Sequence, residues 1–75
     1  MKKFKLQFTS EWVRSKVIRH FTALKLIFTY DPNDISNSVL VSGPDLTDDL
    51  LIDIVRKTPD PAAVEWHFII KEVKV

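Results

Sequence analysis

The side chains best placed to do chemistry are carboxylates. Asp45, Asp48, Asp49 and Asp53 crowd one short stretch. Two carboxylates divide acid and base roles when one of them sits in an apolar pocket, and three or four together can hold Mg²⁺ or Ca²⁺. The simpler reading is a helix start, where an acidic first turn complements the positive end of the macrodipole. The calcium-loop pattern D-x-[DN]-x-[DN]-G is absent, and carboxylates of one helix rarely build a cage by themselves. A metal-dependent enzyme centred on Asp48 or Asp49 therefore ranks third among the readings. His20 and His67 fall on different elements, without the H-E-x-x-H spacing or a thiolate to complete a zinc site. Ser10, Ser15 and Ser38 have no identifiable base. The 75 residues contain no Cys and only one Gly, so disulfides, thiol nucleophiles and the glycine-dependent hydrolase, nucleotide and dinucleotide signatures are all excluded. A chain this short also lacks the bulk to enclose a typical substrate pocket. The expectation is a protein that is not an enzyme and holds no cofactor or metal.

Charge carries more information than any motif. Residues 1–30 set Lys2, Lys3, Lys5, Arg14, Lys16, Arg19 and Lys25 against Glu11, a net +6. Residues 31–75 carry four basic and nine acidic side chains, a net −5, and the whole chain comes to +1. Such polarity keeps a small domain soluble, orients self-association, or steers an acidic partner or a phosphate backbone to one side.

The elements that position these groups follow from periodicity. Phe4, Leu6 and Phe8 alternate with Lys3, Lys5, Gln7 and Thr9, which predicts a half-buried strand over 3–9. Thr9 or Ser10 then caps a helix over 11–23, with Val13, Val17, Phe21 and Leu24 as its apolar stripe and Arg14, Ser15, Lys16 and Arg19 over the remainder. A second strand runs from Leu24 to Tyr30, with Leu26 and Phe28 inward and Lys25, Ile27 and Thr29 outward. Asp31-Pro32-Asn33-Asp34 is turn chemistry. A short strand over 38–42 follows, Val39 and Val41 inward and Leu40 outward.

Thr47 caps a second helix with Leu46 and Leu51 as its hydrophobic staple and Leu50, Leu51, Ile54 and Val55 as its core stripe, up to the stop at Thr58-Pro59. A last strand over 64–73 alternates Val64, Trp66, Phe68 and Ile70 with Glu65, His67, Ile69 and Lys71. The parity flips at Val73 and Val75, which calls for a bulge or a tail that leaves the sheet. No apolar run approaches the ~20 residues of a membrane span. Lys5 and Gln7 interrupt any signal-peptide core. A soluble, cytoplasmic protein without a membrane segment is expected.

The order β-α-β-β-α-β and right-handed crossovers favour an α+β fold of ferredoxin-like type, a four-stranded antiparallel sheet with both helices on one face. The other face, left open, is expected to present Lys3, Lys5, Gln7, Lys25, Ile27, Leu40, His67 and Ile69. It has no aromatic platform of the RNA-recognition kind, whereas Ile27, Leu40 and Ile69 make an apolar island suited to a protein partner or a homodimer. Trp12, beside Lys16 and Arg19 and off the apolar stripe, serves either as a binding anchor or as cover for the sheet edge.

One stretch resembles a known family. Leu50-Leu51-Ile52-Asp53-Ile54-Val55, then Pro59 or Pro61, then Val64-Glu65-Trp66 is similar to the helix–turn–strand ending of the ACT-like C-terminal domain of MgtC-type membrane proteins. The match spans about 17 residues. The resemblance implies a regulatory or interaction module. The membrane half of that family has no counterpart here, and Thr9-Ser10 lacks the Gly of the ACT ligand turn, so no ligand residues are carried over. The leading expectation is a small interaction or regulatory module that binds a protein partner or itself through Lys3, Lys5, Trp12, Lys16, Arg19, Lys25, Ile27, Leu40, His67 and Ile69. The alternative is a nucleic-acid-binding accessory protein using Lys2, Lys3, Lys5, Arg14, Lys16 and Arg19.

Overall fold

The computed structural model describes residues 2–74. The chain runs β1 (Lys2–Phe8), α1 (Glu11–Ala23), β2 (Ile27–Thr29), β3 (Ser38–Gly43), α2 (Asp48–Arg56), a 3₁₀ turn (Pro61–Glu65) and β4 (Phe68–Val73). The strands form one antiparallel sheet in the order β2-β3-β1-β4. This is the α+β arrangement that the element order implies, and its strand order is compatible with the ferredoxin-like type.

Phe4, Leu6 and Phe8 of β1 and Val39 and Val41 of β3 face the helices and are buried with Val13, Val17, Phe21, Leu51 and Val55. Each such side chain, fully buried, contributes about 1.5–3 kcal/mol. An edge-on pair of Phe21 and Phe28 at 6.0 Å ties α1 to the sheet, and the tilted pair of Phe8 and Phe68 at 5.7 Å joins β1 to β4 within it.

Local chemistry sets the ends of both helices. Ser10 accepts a hydrogen bond from the Val13 amide and Thr47 from the Leu50 amide, so each cap satisfies one free donor of its first turn. Leu46 and Leu51 are buried as a staple. Gly43 makes room for it, because a Cβ there would meet Leu46 Cγ at 3.0 Å. At the end of α1 the Leu26 amide bonds the Phe21 carbonyl and the Lys25 amide bonds that of Thr22, the two bonds of a Schellman motif. Lys25 supplies its left-handed residue, at φ 59°. Thr58 stops α2, its hydroxyl donating to the Val55 carbonyl at 2.7 Å.

Several expectations change for these reasons. The Schellman turn consumes Leu24 and Lys25, so β2 starts only at Ile27 and Leu24 lies exposed rather than on the core stripe. Leu50 is 42% exposed and also leaves its expected stripe, since Leu51 and Val55, four residues apart, already fill the contact with the sheet. Asp60 caps the 3₁₀ turn by accepting from the Ala62 amide. That turn takes the place of the first residues assigned to the last strand, leaving Val64 exposed and Ala63 buried. β4 then pairs with β1 without a bulge from Phe8↔Phe68 to Lys3↔Val73. The tail stays in the sheet as far as Val73, with Glu72 on the helix side at the rim; Val75 lies outside the described residues.

Arg14 is the largest departure. Expected on the polar side of α1, it is 3% exposed. Its guanidinium donates to the carbonyls of Asp31 at 3.1 Å, Pro32 at 3.4 Å and Asp34 at 3.5 Å, and its Cζ lies 5.4 Å from the centre of the Tyr30 ring. A guanidinium out of water needs several acceptors, and the carbonyls of the turn between β2 and β3 provide them.

Candidate interaction surface

The pairing registers lay out the open face row by row. One row runs Ile27, Ser42, Lys3, Val73; the next runs Thr29, Leu40, Lys5, Lys71; a third holds Ser38, Gln7 and Ile69. Ile27 is 64% exposed and Ile69 55%, on the two edge strands. Leu40 lies diagonal to Ile27, but Lys5 and Gln7 of β1 separate it from Ile69. The three apolar residues are therefore not one island. They are two patches flanking a basic central strand. His67, exposed just before β4, joins Gln7, Thr9 and Ile69 at a shallow groove on the same side.

Lys71 shares the parity of His67 and Ile69 but is absent from the expected contact surface. It stands directly opposite Lys5 across the β1–β4 ladder, and among the described residues neither amine is within ion-pair distance of a carboxylate. Like charges so opposed on an exposed face are destabilising. The signal was present in the alternation of 64–71, but only the register shows which lysine faces which.

At the corner beyond β3 the chain partly covers its own open face. A groove of about 380 Å³ runs between Lys5, Thr29, Tyr30, Leu40 and the turn residues Asp31 and Asp34. Asp34 accepts from the Ser36 hydroxyl at 2.7 and 2.8 Å and from the Ser36 amide at 2.9 Å. These bonds, hydroxyl first, with the Ser38 amide and the charge of Lys5 behind them, hold the Asp34 carboxyl below the ordinary carboxylate range. Its acceptor capacity is spent within the turn, which makes it a structural carboxylate rather than a free base.

The remaining expected contacts lie elsewhere. Trp12 and Lys16 belong to α1, behind the sheet. Trp12 is 55% exposed and meets Trp66 edge-on at 6.1 Å, with Lys16 Nζ 5.4 Å from its ring centre. It packs over Trp66, at the end of the 3₁₀ turn that leads into β4. Lys16, Arg19 and His20 line a cleft of about 230 Å³ against Thr58 and Pro59, with Asp60 4.0 Å from Lys16 as counter-charge. The His20 Nε2 is buried, and among the described residues it has no hydrogen-bond partner. Lys25 leaves the open face altogether, because it sits in the Schellman turn instead of on β2. The structure thus unites Lys3, Lys5, Ile27, Leu40 and Ile69, with His67 at their rim, and separates them from Trp12, Lys16, Arg19 and Lys25.

No protein family, curated protein or solved structure matches the chain. Function has to be argued from the geometry itself. The six cations of the nucleic-acid reading do not line one track: Lys3 and Lys5 face outward from the sheet, Lys16 and Arg19 lie behind it, and Arg14 is occupied inside. Among the described residues no three acidic or histidine side chains converge as metal ligands, and no helix is long and apolar enough to cross a membrane.

Proposed function

We propose that the protein is a non-enzymatic interaction module that docks protein partners, a second copy of itself among them, through the open face of its sheet. One observation carries the reading. The open side of the sheet presents Ile27 and Ile69 to solvent on either side of Lys3 and Lys5, with Lys71 beside Ile69 on β4. Exposed apolar residues beside unpaired charge suit a surface that is covered part of the time, because a permanent interface depletes Lys. The regulatory role implied by the ACT-like stretch fits such intermittent docking.

The test is an NMR titration of amide shifts, first against protein concentration and then against poly-glutamate as an acidic probe. Shifts at Lys3, Lys5, Ile69 and Lys71, lost in the Ile69→Glu variant, support the reading. A face whose amides respond to neither titration overturns it.

A further inference from the structure

Basic and acidic groups separate in the fold, though not by halves of the chain, since Lys71 belongs to the acidic half and Lys16 and Arg19 of the basic half lie on α1. Lys3, Lys5 and Lys71 are on the open face. Asp45, Asp48, Asp49 and Asp53 are exposed at and along α2, in the layer on the other side of the sheet. We propose that the open face of one copy docks on the α2 surface of the next, a head-to-tail contact between two different patches. The proposal rests on the docking reading above and names its partner.

Three features support it. First, among the described residues Lys5 and Lys71 make no ion pair, Lys5 feeling the Asp34 carboxylate only at longer range, so an incoming carboxylate relieves a repulsion already present in the free protein. Second, among the described residues Asp45, Asp48 and Asp49 form no ion pair, while Asp53 reaches only Lys57, at 3.0 Å on the surface. The outer face of α1 is no rival, because it carries Arg19 and Lys16. Third, apolar groups match as well. Leu50 is exposed among Asp48, Asp49 and Asp53, and Leu40 and Ile27 flank the lysines.

A nine-residue helix is about 14 Å long, so the contact falls below the roughly 1,200 Å² of stable complexes. The association is accordingly weak, sensitive to salt and visible at millimolar protein. Because the two patches differ, it propagates instead of closing as an isologous dimer does.

Two neutralised double variants test this by sedimentation velocity at low salt, with circular dichroism as the folding control. Lys5→Gln with Lys71→Gln removes the head, and Asp48→Asn with Asp49→Asn removes the tail. All four positions are exposed. Wild type is expected to grow in mass with concentration, and each variant alone to self-associate about tenfold or more weakly. An equimolar mixture should form a heterodimer that grows no further, since one intact head meets one intact tail. A tail variant that still self-associates like wild type, or a mixture no heavier than its parts, overturns the proposal. A wild type that stays monomeric also overturns it. In that event, poly-glutamate shifts on the sheet would keep the open face as a docking surface for other acidic proteins, and their absence would remove that reading too.

Discussion

A guanidinium taken out of water must find acceptors, and for Arg14 they are the carbonyls of a single turn. The geometry makes Arg14 the organiser of the segment between β2 and β3, since it joins α1 to Asp31, Pro32 and Asp34 at once. Hydrogen bonds to a charged group are worth about 1.5–3 kcal/mol each at most in net terms, out of roughly 4–11 kcal/mol for a domain of this length. Arg14→Ala is expected to cost about 2–3 kcal/mol in urea denaturation. Arg14→Lys should recover only part of that, because an ammonium cannot fork across three carbonyls. A loss below about 0.5 kcal/mol would mean that the turn stands without the arginine. Asp34 gives the same turn a pH dependence. Its carboxyl is held low by Ser36, so the folded state binds this proton less readily than the unfolded state. The resulting stability is fully present above the unfolded-state value and is lost as pH falls through the lower folded-state value. Comparing wild type with Asp34→Asn across acid pH, the stability gap should shrink below about pH 4. A gap that widens on acidification would contradict the assignment.

Among the elements, the connection from α1 to β2 stores the clearest strain. Lys25 adopts φ 59°, a region that costs an L-residue roughly 1–2 kcal/mol and glycine almost nothing. The entropy of an unfolded glycine returns part of that gain, so Lys25→Gly should stabilise the protein by about 0.5–1 kcal/mol in thermal unfolding. A destabilised variant would show that the lysine side chain has a role beyond the turn. This turn also marks where the sequence stops being legible. Ser10, Thr47 and the alternation of Phe4, Leu6 and Phe8 declare their structure locally, because capping and period-two burial depend on neighbours along the chain. A Schellman turn closed by Lys gives no such sign, since its usual mark is Gly, and Leu24 to Tyr30 therefore reads as strand throughout. Arg14 was equally hidden: its acceptors lie 17 to 20 residues away in sequence. For the open face, alternation identifies Lys3, Lys5, Ile27, Leu40 and Ile69, but pairing register is a long-range property. It alone breaks the island and opposes Lys5 to Lys71.

Across the whole molecule, a net charge of +1 hides a basic open face and an acidic α2 on opposite sides of the sheet. A sheet optimised only for the isolated monomer would place unlike charges across β1 and β4. Glu72, on β4, already faces Phe4 on the other side, so an acidic residue is chemically acceptable in this strand. On the docking proposal, lysines opposite each other trade monomer stability for attraction to an external anion, a conflict of the sort found where a surface serves function. The trade makes the two properties move in opposite directions on one substitution. Lys71→Glu places a carboxylate opposite Lys5 and should raise unfolding free energy by about 0.2–1 kcal/mol. The same change should weaken binding of poly-glutamate and of a second copy, because the new carboxylate satisfies Lys5 from within. Added salt should narrow the stability difference between the two proteins, as screening reduces both the repulsion in wild type and the attraction in the variant. Denaturation and titration of one pair of samples measure both arms. A variant that loses stability, or that gains it while binding the acidic probe as wild type does, would separate the lysine pair from the docking surface.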